Sequence, residues 1–204
     1  MQEICQAILR TGLWRTKAGM RHVLNVPAVR ALAVNPTLVA LAESFIGKSA
    51  IPFRATLFDK SAMSNWLVAW HQDTALPLAH RVDDTSWGPW SVKGGVLHGI
   101  APAAALATVV ALRVHLDDST SANGPLRVLP GTHTNGVLPH NEIQRMAESV
   151  VPVACVASAG AVVAMRPLVV HASSKANDNQ SRRVLHIEYA ASVQLGAGVR
   201  LDVG

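Results

Sequence analysis

Aromatic residues make up only 4% of this 204-residue chain and charged residues only 15%, with one Tyr and two Cys. Scarce charge beside a 50% apolar content, mostly Ala, Val and Leu, excludes an intrinsically disordered chain, which is one that cannot bury enough apolar surface to fold. The two cysteines, Cys5 and Cys155, form no CxxC motif and no disulfide framework, so free thiols in a reducing cytoplasm are expected. Acidic residues are in deficit as well: 18 basic against 13 acidic side chains leave a net charge of +5. The basic residues are scattered, and with few aromatics to stack bases on, no nucleic-acid platform emerges. The excess suits a small anionic partner instead.

Long hydrophobic runs are missing too. Gly94 to Leu112 is uncharged for nineteen residues, but His98, Pro102 and the pair Gly94-Gly95 break it into a loop and one buried strand. Ser149 to Met165 is cut by Pro152 and Gly160, and Glu3 and Arg10 interrupt what would be the apolar heart of a leader. The expectation is a cytoplasmic protein without a membrane span, a monomer or homodimer. Its length suits a single domain over residues 1–204.

Residues 1–50 read as a helical support. Ile4, Ile8 and Leu9 have helical spacing within Gln2 to Leu13, Pro27 opens a second helix, and Asn35-Pro36 opens a third. That third helix carries Leu38, Leu41, Ala42 and Phe45 on one side and stops at Gly47. Residues 51–192 change to a period near two. Strands are predicted over Ile51 to Phe58, Trp66 to His71, Leu106 to Leu116, Leu126 to Leu129, Val150 to Val156, Ala161 to Met165, Leu168 to His171 and Val184 to Ala190. Asn123-Gly124-Pro125 and Pro130-Gly131 mark turns, Ser158-Ala159-Gly160 a hairpin, and Asn141 to Ser149 a short polar helix. Eight short strands behind a few helices predict an α+β chain that is mainly β, a sandwich or barrel.

Nine histidines in a chain poor in carboxylates make metal binding the first chemistry to test. Residues two apart on a strand share a face, so His71-Gln72-Asp73 offers an imidazole and a carboxylate together. His115-Leu116-Asp117 repeats the spacing, and about a third of one such match is expected by chance at this composition. Context separates the two copies. The first ends the apolar run from Trp66 to Trp70, whereas the second leads into a turn where Asp serves as an acceptor. A third ligand must come from a distant segment, and His171 closes Leu168-Val169-Val170. Arg182 follows at the head of the last strand, with planar donors suited to a carboxylate.

Taken together, Phe58-Asp59-Lys60, Asn65-Trp66, Trp70-His71-Gln72-Asp73, Gly88-Pro89-Trp90, Asn123-Gly124-Pro125-Leu126, Pro130-Gly131-Thr132-His133 and Pro167 to His171 with Arg182-Arg183 form a pattern from Ala18 to Ala191. It resembles the phytanoyl-CoA dioxygenase family of Fe(II)- and 2-oxoglutarate-dependent oxygenases. The resemblance implies a double-stranded β-helix, a cupin-like jelly roll with supporting helices. It also implies a catalytic triad of His71, Asp73 and His171 on iron, leaving three positions for 2-oxoglutarate and O2. Arg182, helped by Ser173, would bind the distal carboxylate of 2-oxoglutarate. The implied reaction is hydroxylation of an unactivated C–H bond, with release of succinate and CO2. Retention of Asp73 favours hydroxylation over halogenation, in which a small residue replaces the carboxylate.

Lys60, Gln72 and Arg113 are further candidate contacts to the cosubstrate, and Asn65, Trp70, Trp90 and His115 candidate contacts to a small-molecule substrate, anionic or acyl-CoA-like. The segment Thr74 to Pro102 shows no clear strand pattern and reads as a lid. The rival from another class is a β-helix module that binds metal or metabolite without turnover. A zinc hydrolase fits poorly, for want of a nearby general-base motif.

Overall fold

The computed structural model describes residues 1–13, 15–16, 18–47, 49–62, 64–196 and 198–203. Helices α1 (Gln2–Leu9), α2 (Pro27–Ala33) and α3 (Pro36–Ile46) precede the main strands. Proline opens both α2 and α3, where its missing N–H would have no partner anyway, and the Asn35 side chain accepts the Thr37 N–H at 3.0 Å. Gly47 ends α3 as expected. Phe45 does not join the buried side of that helix: it is 43% exposed, while Leu38 and Ala42 pack inward. The amino-terminal region is also not wholly helical. Strands β1 (Arg15–Thr16) and β2 (Gly19–Met20) add to the edge of the main sheet.

The remaining strands are β3 (Ile51–Lys60), β4 (Val68–His71), β5 (Ala75–Leu78), β6 (Trp90–Lys93), β7 (Val96–Ile100), β8 (Val109–His115), β9 (Leu126–Val128), β10 (Val153–Cys155), β11 (Val162–Met165), β12 (His171–Ser173) and β13 (Arg182–Ala190). Two short helices, α4 (Ala103–Leu106) and α5 (His140–Ser149), complete the described elements of this kind. A six-stranded sheet runs β1-β2-β3-β13-β8-β11, a four-stranded sheet β10-β9-β12-β4, and a three-stranded sheet β5-β7-β6, all antiparallel.

Alternation on the six-stranded sheet decides what faces what. Ala55 and Leu57 of β3, Val110, Leu112 and Val114 of β8, and Leu185, Ile187 and Tyr189 of β13 pack with residues of α1–α3 in one buried cluster. The intervening residues, Arg54, Thr56 and Phe58 on β3, Arg113 on β8 and Arg182 and His186 on β13, line cavities on the opposite face. The helices therefore bury one face of the sheet and leave the other free for chemistry. Among the described residues no single helix is long and apolar enough to cross a membrane.

Three further sequence expectations need correction. Thr74 to Pro102 is no irregular loop, because β5, β6 and β7 form a sheet of their own within it. Its Gly and Pro residues hide that pattern, with Pro77 itself inside β5. Leu168 to Val170 is a bend and His171 begins a strand instead of ending one; the apolar run reflects burial of each residue in a different core cluster. Ser158 to Gly160 joins strands of different sheets, since β10 pairs with β9 and β11 with β8, and so closes no hairpin.

Candidate metal centre

The antiparallel register of β4 and β12 sets His71 directly opposite His171, and their ring centroids lie 4.2 Å apart. Asp73 sits just past the end of β4, where its backbone N–H donates to the Pro167 carbonyl at 2.9 Å. That bond ties the carboxylate to the bend before His171. Asp73 Oδ1 stands 3.6 Å from His71 Nε2 and Oδ2 3.5 Å from His171 Nε2. One ligand atom from each of the three residues lies within 4.8 Å of the others.

The proton positions follow from the outer partners. His71 Nδ1 faces the Ala69 carbonyl at 2.8 Å and His171 Nδ1 the Val169 carbonyl at 2.9 Å. A carbonyl only accepts, so each Nδ1 carries a proton, and in the neutral form of each ring the Nε2 lone pair faces Asp73. Separations beyond normal hydrogen-bond length leave three acceptors converging on one point, an arrangement that a cation satisfies. Burial holds the His171 imidazole down. Burial also pulls at His71 and Asp73, but their mutual contact outweighs it, raising the imidazole and, with His171, keeping the carboxyl well below the usual range. The donor set of two imidazoles and one carboxylate suits ferrous iron.

Two cavities open at this point. The first, of about 90 Å³, runs from the three side chains to Arg113, Ser173 and Arg182, with Phe58 and Trp66 as apolar walls. Arg182 is buried; its Nε donates to the Asn123 carbonyl at 3.3 Å and its Nη2 to Ser173 Oγ at 3.4 Å. Arg113 is buried as well, donating through Nη1 to His186 Nδ1 at 3.1 Å, while its Nε has no partner among the described residues. Burial pushes both guanidinium groups down to about 10, and Arg113 adds to the pressure on Arg182. Desolvated cations facing an enclosed space favour an anion there.

Lys60 stands behind Ser173, donating to Ser173 Oγ at 2.8 Å and also to the Ser174 carbonyl. Burial and then Arg182 lower it to about 8. Gly124 makes this packing possible: at φ +67, a Cβ there would sit 2.4 Å from the Ser174 carbonyl oxygen and 2.9 Å from Lys60 Nζ. The second cavity, about 330 Å³, is lined by His71, Asp73, Arg21, Arg54, Lys93 and His186 among others.

Several candidates from the sequence do other work. Gln72 borders the second cavity, but its amide donates to the Gly136 and Leu168 carbonyls (2.9 and 2.8 Å) and accepts the Leu138 N–H (2.8 Å), which spends it on holding loops. Asn65 is likewise consumed by the backbone of Ala176 through bonds of 2.9 and 2.7 Å. Trp70, one residue from His71, points to the other side of β4 and packs against Leu129, Ile143 and Val170, with Arg127 over its ring. Trp90 packs beside the Leu76 cluster, with Arg81 over its ring. His115 is buried, is pushed down to about 4 by burial and then by Arg113 and Arg182, and lines neither cavity.

The second HxD copy is divided. Asp117 accepts three bonds from Arg183, from Nε (2.7 Å), Nη2 (2.6 Å) and the backbone N–H (2.9 Å). Asp117→Ala should lower the Tm by about 5 °C, from roughly 2 kcal/mol of lost charged hydrogen bonding. Its calorimetric scan tests this, and an unchanged Tm would deny Asp117 a structural role. Arg21, Arg54 and His186 escape sequence reasoning. For Arg54 and His186 the signal is a polar residue on the alternate phase of β3 and β13, and for Arg21 there is none.

A family model described as phytanoyl-CoA dioxygenase matches residues 14–184. The chain is 28% identical over 180 residues to an L-proline trans-4-hydroxylase of Streptomyces griseoviridis, covering 76% of this chain and 59% of that relative. Among solved structures, apo EctD from S. alaskensis superposes with a TM-score of 0.70 at 16% identity, covering 96% of this chain and 70% of its own. The same protein with 2-oxoglutarate and 5-hydroxyectoine gives 0.64 at 19% identity, covering 85% and 56%. SnoN, a non-heme alpha ketoglutarate dependent epimerase, gives 0.65 at 18% identity, covering 97% and 75%. These structures share the jelly-roll fold expected from the sequence.

Proposed function

This chain belongs to the phytanoyl-CoA dioxygenase family, and on that premise we propose that it is an Fe(II)- and 2-oxoglutarate-dependent dioxygenase that hydroxylates a small molecule. The observation that carries the reading is the meeting of His71, Asp73 and His171 on a cavity that buried Arg182 also lines. The balanced reaction is R–H + 2-oxoglutarate + O2 → R–OH + succinate + CO2. Bound ferrous iron and 2-oxoglutarate would supply the oxidising chemistry, which no side chain here can supply alone. The hydroxylase relative and the oxygenase fold support this reading, while the chain spans about 59% of that relative's length.

In this reading His71 and His171 hold the metal through Nε2, and the Ala69 and Val169 carbonyls fix both rings in that tautomer. Asp73 supplies the anionic ligand. Arg182 grips the distal carboxylate of the cosubstrate, with Ser173 Oγ placed beside it by Lys60. Arg113, which lines the same cavity as a buried cation, would add positive charge beside the carboxylate at the metal end. Phe58 and Trp66 keep water from the chelated acid. The protein works in one domain over residues 1–204, with the sheet β5-β7-β6 as the cover over the second cavity. Free Cys5 and Cys155 accord with a cytoplasmic setting, and the +5 charge with an anionic substrate.

Succinate formation that requires both Fe(II) and 2-oxoglutarate tests the activity. Metal binding with no cosubstrate consumption across a substrate screen would favour the non-catalytic module. The pH dependence has a definite sign. Lys60, set at about 8, is charged below that pH and helps hold a dianion through Ser173. Affinity for 2-oxoglutarate should therefore fall above pH 8, by up to about tenfold per unit. A calorimetric titration series should lose that slope in Lys60→Met; an equal slope in the variant would free Lys60 of the role.

A further inference from the structure

The second cavity carries more positive charge than its own protein neutralises. Arg54 is paired with Glu188, donating to Oε1 at 2.6 Å and also to Oε2. Arg21 and Lys93 line the same space, and among the described residues neither makes an ion pair with an acid. Both are exposed, as suits side chains at the rim of a cavity open to solvent.

Separate chain segments are brought together to put them there. Gly19 has φ +140, and a Cβ on it would lie 1.8 Å from the Leu57 carbonyl oxygen. Only glycine lets β2 pair so closely with β3, and that pairing delivers Arg21, the residue after β2, to the rim. The turn between β6 and β7 reaches the same place. A Cβ on Gly94 would lie 2.8 Å from His22 Nε2, so the chain neighbours of Lys93 and Arg21 approach each other closely. His71 and Asp73 line the same cavity.

We propose that this cavity is the site for a small organic acid, whose carboxylate is held by Arg21 and Lys93 while the carbon to be oxidised lies against His71 and Asp73. A volume of about 330 Å³ encloses a molecule of amino-acid or short hydroxy-acid size and leaves most of a coenzyme A thioester outside. The assignment rests on the oxygenase reading for the fate of the acid, but not for its binding.

The test uses protein loaded with Mn(II) and 2-oxoglutarate and a panel of C4 to C6 2-amino and 2-hydroxy acids, each with its primary amide and coenzyme A thioester. Ligand-observed NMR should show an acid binding about tenfold more tightly than its amide and its thioester. Mn(II) should broaden the protons of that acid. Arg21→Gln and Lys93→Gln should each remove the preference, while Arg145→Gln on α5 should leave it. No acid preferred over its amide, or a preference that survives both substitutions, overturns the proposal. Succinate release by the Fe(II) form is scored separately. Release without acid preference overturns the acid site alone, and acid preference without release overturns the oxygenase reading alone.

Discussion

Asp73→Ala should reduce succinate formation by about a thousandfold or more, because it leaves two neutral imidazoles with no anionic ligand between them. The loss should come with weaker Fe(II) binding and with no loss of fold. Asp73 makes one backbone bond, to the Pro167 carbonyl, and alanine retains it. Far-ultraviolet circular dichroism and an anaerobic Fe(II) titration on the same preparation separate the two effects. Wild-type turnover in this variant would move the metal to the copy at His115, whose Asp117 is already held by Arg183.

Arg182→Gln should raise the KM for 2-oxoglutarate by about a hundredfold, since removing one partner of a buried charged pair costs about 3 kcal/mol. Fe(II) affinity should be nearly unchanged, as Arg182 supplies no ligand atom to the cluster of His71, Asp73 and His171. Ser173→Ala should act in the same direction but more weakly, because the Arg182–Ser173 bond is long at 3.4 Å and Lys60 loses a neutral acceptor only. A steady-state series in 2-oxoglutarate checks both variants. An Arg182→Gln enzyme with unchanged KM would place the distal carboxylate elsewhere, Arg113 being the alternative cation in that cavity.

How much of this was legible in the sequence depended on whether the signal was local. Proline and asparagine at Asn35-Pro36 act within one turn of helix, and the start of α3 follows directly from them. The long strands β3, β8 and β13 show their period because one face is apolar against the helices. The meeting of His71 with His171 is a register between strands a hundred residues apart, and no local pattern encodes it. It came from motifs matched to a family. Candidate contacts chosen for proximity in sequence fared worst. Trp70 and Gln72 flank His71, yet strand alternation turns Trp70 away and backbone carbonyls occupy the Gln72 amide. Arg21 and Lys93 reach the site only through tertiary pairing of short edge strands, which composition does not reveal.

A crystal structure of the protein grown without oxygen in Mn(II) and 2-oxoglutarate tests the central claim most directly. The metal should lie about 2.1 Å from Nε2 of His71 and His171 and from a carboxylate oxygen of Asp73, with the distal carboxylate of the diacid on Arg182. A metal bound at another set of ligands, or a diacid lying away from Arg182 with its chain outside the cavity, would contradict it.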